Sequence, residues 1–343
     1  MEPLMTIGIT SYKRVNELIR CINSIQTKFA DDIEILVSED RSPLSNEIKK
    51  VVTELEKECK YNLRFTTNDV NLGYDMNLGA IIKKARGKYI FYMSDDDVVA
   101  EGCLDEIILF LRKEEQSGVI YAPFVYIDTG KKDRKRSNKD FRIIAGEKSA
   151  ATYVYDSILF SGLIFRKDYV KDFDSLRFKN HNYFQVYMFL QMLLKYGGYY
   201  FTNPSVYCIG DGENAYGLSA SSEGETSLAS KERNEILAHR ESVKSNLEFN
   251  KTLIKVIRMF DEDEGTHVMD SFERQYSFHS ISGLTIARNE GRKYFKEYWE
   301  ILKGLDIHLY PVTKCYYILL SLFGAKGTTK ILSGLRKLVK KEN

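Results

Sequence analysis

The sequence is poor in the residues that stiffen or cross-link a chain, with 5 Pro and 5 Cys in 343 residues. The thiols (Cys21, Cys59, Cys103, Cys208, Cys315) are scattered, odd in number and never in a C-x-x-C spacing. That argues against a disulfide framework and a structural zinc site, and fits a reducing compartment. Met1-Glu2-Pro3 opens no basic region followed by an apolar stretch, so no secretory leader is expected. The longest apolar run near the end, Tyr316 to Ala325, is about half the ~20 residues a spanning helix needs. A surplus of charge is also missing. Lys+Arg 50 against Asp+Glu 48 leaves +2, too balanced for a protein whose main work is gripping nucleic-acid phosphates. These absences predict a cytoplasmic protein that crosses no membrane and binds no nucleic acid.

What is present suits a globular chain of one large domain or two ordinary ones, with 43% hydrophobic and 29% charged residues. The first hundred residues alternate strand and helix patterns. Thr6–Thr10, Ile33–Val37, Leu63–Thr66 and Tyr89–Met93 read as strands. Between them fall helical stripes: Val15, Leu18, Ile19, Ile22 and Ile25, then Glu47–Glu58 capped by Ser45, then Tyr74, Leu78, Ile81, Ile82 and Ala85. Such alternation implies an α/β fold with a parallel sheet. The polar clusters Thr10–Arg14, Glu39–Ser42 and Ser94–Asp97 directly follow strands, so they should meet at the carboxyl edge where such sheets bind ligands. Farther on, Val119–Tyr126 and Ile158–Phe165 read as strands, 183–196 as a helix, and Gly210–Ser230 as a mobile loop. Beyond Lys231 the pattern is helical, with an acidic break at Asp261-Glu262-Asp263-Glu264.

Asp95-Asp96-Asp97 is the strongest chemical signal. Three carboxylates at one strand end raise one another's pKa unless a cation or donor sits among them. Oxygen ligands suit Mn²⁺ or Mg²⁺, completed by water and substrate phosphates. The alternative is a helix N-terminus, where the dipole favours Asp. Glu39-Asp40 is a second acidic pair, and Tyr12 reads either as a platform for a flat base or as a half-buried ring.

In order and spacing, Thr10-Ser11-Tyr12-Lys13-Arg14, Glu39-Asp40-Arg41-Ser42, Asn71-Leu72-Gly73 with Asn77-Leu78-Gly79, and Ala85–Ile90 leading to Ser94-Asp95-Asp96-Asp97 resemble glycosyltransferase family 2. These are inverting nucleotide-sugar transferases of the GT-A fold. The resemblance is close over about residues 5–105 and looser to about 210. It implies a Rossmann-like mixed, mostly parallel sheet flanked by helices, with a C-terminal helical extension. The expected divisions are a nucleotide-binding half (1–98), an acceptor-binding half (99–230) and a helical region (231–343). Thr10 and Tyr12 would hold the base, usually uracil, and Asp40, helped by Glu39, would accept from its N–H. Asp95 would lie by the ribose. Asp96, with Asp97, would bind Mn²⁺ or Mg²⁺ bridging the diphosphate, and Arg14 and Asn77 are further nucleotide-pocket candidates.

Family members usually carry a Glu-Asp pair as catalytic base before a Lys-x-Gly-like turn. Here that region reads His181-Asn182-Tyr183-Phe184-Gln185-Val186, and Gln185 falls near the missing carboxylate. The branch resembling abequosyltransferases and related O-antigen or capsule enzymes also tends to lack the pair. His181 is the first replacement, because its ordinary pKa suits a base near neutrality. Asp211 is the second; a turn residue is its plain alternative.

The basic run Lys131 to Arg142 could meet a phosphate-bearing acceptor or be a solvated loop. Ile318, Leu319, Leu322 and Phe323 before Lys326, Lys330, Arg336, Lys337, Lys340 and Lys341 suit either a helix lying on an anionic membrane or one packed on the domain. The leading expectation is a metal-dependent transferase moving a sugar, UDP-linked, to a glycan or lipid-linked acceptor. Its setting would be bacterial surface polysaccharide synthesis at the inner face of the cell membrane. The alternatives are a catalytically silent binding or assembly subunit, and a sugar nucleotidyltransferase. The last would need a Gly-rich loop after strand one, where Thr10–Arg14 has no glycine.

Overall fold

The computed structural model describes residues 2–127, 130, 132–209, 247 and 249–339. The chain divides into two compact units, Met1–Gly217 with Met259–Val268, and Leu218–Arg258 with Met269–Asn343. In the first unit, β1 (Met5–Ser11), β2 (Ile33–Glu39), β3 (Asn62–Thr67) and β4 (Tyr89–Ser94) pair in parallel, in the order β3-β2-β1-β4. β10 (Ile164–Arg166), β6 (Val119–Tyr121), β11 (Gly198–Tyr200) and β9 (Phe141–Ile143) extend that sheet to eight strands. β10 runs antiparallel to both β4 and β6. The fold is therefore a mixed α/β sheet whose parallel half comes first in the chain.

Alternation along the strands explains the layers. Met5, Ile7 and Ile9 of β1 join Ile35, Val37, Phe91 and Met93 in one buried cluster. Against it pack Leu18 and Ile22 of α1 (Val15–Ser24), Ile48 and Val52 of α2 (Ser45–Glu58), and Leu104 and Ile108 of α4 (Cys103–Leu111). Each such side chain contributes roughly 1.5–3 kcal/mol by leaving water. On the opposite face, α3 (Tyr74–Lys84) lies against Gly8, where a Cβ would come within 2.5 Å of Ile81 Cγ2. The glycine is what admits the helix. Register then fixes the strand tips: Thr10 lies opposite both Ser38 and Ser94, and Ser11 opposite Glu39.

Several expectations shift. Residues Val119–Tyr126 form two strands, because the chain leaves the large sheet at Ala122-Pro123. Its second part, β7 (Phe124–Tyr126), joins a four-stranded sheet of order β5-β12-β7-β8 with β5 (Val98–Val99), β8 (Lys132–Asp133) and β12 (Val206–Cys208). A proline has no N–H to give a ladder, which suits a crossing point. Of Ile158–Phe165 only the end is strand. Ser45 does not cap α2 through its side chain; its hydroxyl donates to Glu39 Oε2 at 2.6 Å. The acidic run Asp261–Glu264 forms the last turn of a helix, α8 (249–264), and the break follows at 265–267; Asp263 is bonded to Arg177 and Tyr187, and Glu264 to Gln191 and Lys195. The expected loop Gly210–Ser230 lies outside the described residues.

The second unit is helical, as the pattern predicts: α9 (Val268–Asn289), α10 (Arg292–Lys303) and α11 (Pro311–Val339). Phe295 and Trp299 of α10 stack on Tyr317 of α11 at 4.8 and 4.2 Å between ring centres. Ser277 of α9 takes the N–H of Tyr310 on its hydroxyl (3.0 Å) and the Thr313 hydroxyl on its carbonyl (2.8 Å). Gly324, at φ 65, interrupts α11.

The basic run after β7 keeps most of its cations in solvent, but two of its arginines pair with buried carboxylates. Arg136 grips Asp156 through two nitrogens, and Arg142 grips Glu114. Burial works against ionising Glu114, but Arg142 and the N–H groups of Ser117 and Gln116 hold its pKa down to about 2. A depressed folded-state pKa contributes stability that is present above the ordinary carboxylate range and lost as pH falls toward 2. Glu114→Gln is therefore expected to cost ~1–3 kcal/mol at pH 7 and to flatten the acid limb of a stability–pH curve. An unchanged acid limb would remove this pair from the fold's acid response.

Candidate functional site

The site is built on the end of β1. The Ser11 carbonyl accepts the N–H of Asp40 (3.0 Å), and the next N–H, that of Tyr12, donates to Asp95 Oδ2 (3.1 Å). The residues that directly follow the second and fourth strands thus hang on consecutive residues at the exit of the first. Lys13 turns the chain at φ 66, and Arg14 bridges Asp95 Oδ1 and Asp96 Oδ2, at 2.9 Å each. Ser94 donates to Asp96 Oδ1, and Arg20 of α1 to the Asp96 carbonyl (3.1 Å). Asp97 turns elsewhere, to the Ser161 hydroxyl and the Cys208 thiol.

Burial dominates the electrostatics of the trio. It raises Asp95 to about 7 against the pull of Arg14, with Asp96 adding to the rise. It raises Asp97 to about 6, with Asp96 again adding and Ser161 and Cys208 opposing. Asp96 is the most exposed of the cluster's three carboxylate and guanidinium partners, at 18% against 4% for Asp95 and 13% for Arg14.

At the end of β2 the two acidic residues differ. Glu39 is fully buried and accepts from the N–H of Arg41 and Ser42 and the hydroxyls of Ser45 and Thr67. Burial disfavours its charge, yet bonds from Ser45, Ser42 and Thr67 hold its pKa below the usual value. Asp40 takes the amide of Asn68 (2.9 Å) and the N–H groups of Leu72 and Gly73 (both 2.8 Å), so residues 68–73 are suspended from it. Asn77 is buried and bonded to the Ser38 hydroxyl and carbonyl and to Asn68.

Thr10, Tyr12, Arg14, Asp40, Asp95 and Asp96 therefore share one sheet edge, with Tyr12 half-buried and the Lys13 ammonium 5.2 Å from its ring centre. Glu39 and Asn77 lie by that edge with their polar atoms bonded to neighbouring strand and loop groups. The Asp97 carboxyl is buried and bonded to Ser161 and Cys208. Asp211 lies outside the described residues.

His181 sits at the entry to α7 (Phe184–Lys195), its N–H on Asp75 Oδ2 (3.1 Å) and its Nδ1 3.1 Å from the Lys179 carbonyl. Nε2 has no partner. Gln185 is buried, donating to the Ile158 carbonyl at 2.9 Å. Asp75 escaped the sequence reading. It accepts the N–H groups of His181, Asn182 and Phe184, with burial raising its pKa, and so fixes the start of α7 against α3. Its one sequence signal, an acid in a helix's first turn, reads as a dipole effect.

Among the described residues no three carboxylate, imidazole or thiol groups converge on a point. Of the trio's carboxylates, Asp96 is the one not buried, and it is paired with Arg14. A single carboxylate oxygen beside a diphosphate suits an ion that keeps waters and takes phosphate oxygens as further ligands.

Asp40→Ala is expected to cost ~2–3 kcal/mol, because it strips the acceptor from two N–H groups and a buried amide. Lower melting, and faster hydrogen exchange at Leu72 and Gly73, would report it. Wild-type melting and exchange would mean that residues 68–73 hold themselves.

The profile of the family described as Glycosyl transferase family 2 matches residues 6–177, about half of the chain. The GalNAc(5)-diNAcBac-PP-undecaprenol beta-1,3-glucosyltransferase of Campylobacter jejuni is 28% identical over 106 residues, 31% of this chain and 34% of that protein. Abequosyltransferase RfbV of Salmonella typhimurium is 32% identical over 103 residues, 29% of this chain and 30% of that protein. Each match spans about a third of the curated relative. Among solved structures, the mannosyltransferase PcManGT from Pyrobaculum calidifontis, in complex with GDP-Man and Mn²⁺, superposes with a TM-score of 0.52. It is 12% identical, covering 94% of this chain and 87% of that one, a likeness of GT-A-type fold.

Proposed function

The chain belongs to glycosyl transferase family 2, and on that premise we propose that it moves a sugar from a nucleoside-diphosphate donor, UDP-linked, to a hydroxyl of a glycan carried on a lipid. The observation that carries this reading is the suspension of Asp40 and Asp95 from consecutive residues, Ser11 and Tyr12, at the exit of β1. Tyr12 offers its face to the base and Asp40 its remaining acceptor capacity to a base N–H. Asp95, kept in place by Tyr12 and Arg14, meets the ribose. Asp96 holds a divalent ion, whose charge opposes that developing on the departing diphosphate. The Mn²⁺ in the PcManGT complex supports that assignment.

The acceptor hydroxyl must lose a proton as it attacks. His181 suits this role: an Nδ1–H donated to the Lys179 carbonyl selects the tautomer whose Nε2 accepts. A silent binding subunit is the second reading, motivated by Gln185 standing near the family's usual carboxylate. The acceptor class is drawn from the C. jejuni relative, whose name carries an undecaprenol-diphosphate glycan. On this reading the work belongs to bacterial surface polysaccharide synthesis at the inner face of the cell membrane. No helix of the described residues is long and apolar enough to cross a membrane. The second unit, however, exposes Ile318, Leu322 and Phe323, each more than half, along α11 just before Lys326 and Lys330. That combination suits peripheral contact with an anionic bilayer.

Three measurements test these assignments. UDP should bind about tenfold or more tightly with Mn²⁺ than without, a gain that Asp96→Ala abolishes; equal affinity in both would end the metal role, and preference for GDP would end the uridine one. His181→Gln should keep UDP affinity and lose about a hundredfold or more in kcat, whereas a wild-type kcat places the base elsewhere. No turnover or donor hydrolysis by the wild type, despite tight UDP binding, would favour the silent subunit. Sedimentation with phosphatidylglycerol vesicles should fall for Leu322→Asp, and equal binding of both proteins would clear α11 of membrane contact.

A further inference from the structure

Arg134 follows β8 at φ 57 and is 5% exposed. Its Nη1 donates to the Ser161 carbonyl (3.1 Å), and its guanidinium lies 4.9 Å from the centre of the Phe124 ring. Its other two nitrogens, Nε and Nη2, are buried without a partner. The contrast with Arg136, two residues on, is instructive. There the same edge, Nε with Nη2, takes Asp156 in a two-point grip at 2.8 and 2.7 Å. Asp156 cannot serve both, since Arg136 and the Tyr121 hydroxyl already occupy its oxygens. Burial accordingly lowers the pKa of Arg134, against the partial help of Asp156.

A buried cation with idle donors is strongly unfavourable unless something completes it. A second idle donor stands nearby. Ser205 is 2% exposed and its hydroxyl has no partner. The Ser205 hydroxyl and the bonded Nη1 of the same guanidinium both lie by Gly162 (φ +83), where a Cβ would be 2.8 Å from Ser205 Oγ and 3.9 Å from Arg134 Nη1. Ser161, which Arg134 holds by its carbonyl, accepts the Ser94 N–H on its hydroxyl (3.0 Å) and bonds Asp97. One residue therefore separates this cation from the acidic strand tip.

We propose that the free edge of Arg134, with the Ser205 hydroxyl, is a subsite for an oxyanion, a phosphate or carboxylate group that a substrate brings to the site. A planar guanidinium edge matches such a group in a bidentate pair. The subsite rests on the glycosyl-transfer reading for the origin of the anion. Either an acidic substituent of the acceptor fills it, or the donor diphosphate does.

The test uses the full chain and inorganic phosphate, followed by thermal shift with and without saturating UDP and Mn²⁺. Phosphate should raise the melting temperature of the wild type by mass action. Arg134→Met should abolish that rise while melting no lower than wild type without phosphate, since it removes an unpaired buried charge. Arg134→Lys should keep part of the rise, and Ser205→Ala should weaken phosphate binding. A rise that survives saturating UDP assigns the subsite to the acceptor. A rise that UDP erases, with UDP but not uridine affinity about tenfold weaker in Arg134→Met, assigns it to the diphosphate. No phosphate effect on the wild type, an equal effect on Arg134→Met, or collapse of both Arg134 variants would overturn the proposal. Wild type that binds phosphate but no nucleotide would instead bring down the transfer reading and leave the subsite standing.

Discussion

Three adjacent carboxylates at the end of a buried strand repel one another, and the site's structure follows from how that repulsion is met. Asp95, Asp96 and Asp97 are each given different partners: Tyr12 and Arg14, then Arg14 and Ser94, then Ser161 and Cys208. Those partners come from the loop after β1, from β4 itself, and from the segments beside β10 and β12. Meeting the repulsion therefore draws the exit of the first strand onto the fourth and ties the second half of the unit to both. Without Arg14 the two outer charges of the clasp would face each other across a poorly solvated edge.

A division of labour follows among groups of the same chemical type. Glu39, Asp75 and Asn77 lie within reach of the same edge as Asp40 and Asp96, yet they hold strand ends and helix starts in place. Hydrogen bonds of this kind fix the backbone around the edge, on which any binding geometry there depends. Asp40 belongs to both groups: it suspends residues 68–73 and still lies beside the Ser11–Tyr12 backbone.

The parallel half was legible because its signals are local. Each strand is a short apolar run, each helix a stripe at helical spacing, and each polar cluster directly follows a strand, so the edge where Thr10, Asp40 and Asp95 gather could be read from pattern. What stayed hidden depends on distant partners. Nothing near Glu39 in sequence reveals that Thr67 would bond it. Asp75 looked like a helix-dipole residue because its three donors lie at 181–184. Arg134 vanished into a charge run, since composition cannot say which of several arginines turns inward unpaired. The split of Val119–Tyr126 had a visible cue in Pro123, outweighed by the apolar residues around it.

The clasp made by Arg14 also bears on how an anion arrives. A cleft floored by bare aspartates would present a negative potential to any polyphosphate diffusing toward it, and encounter would slow steeply as ionic strength fell. A guanidinium spanning two of the three, with Arg20 against the backbone beside them, weakens that potential. An anion meeting this edge would be repelled less than the bare carboxylates would repel it.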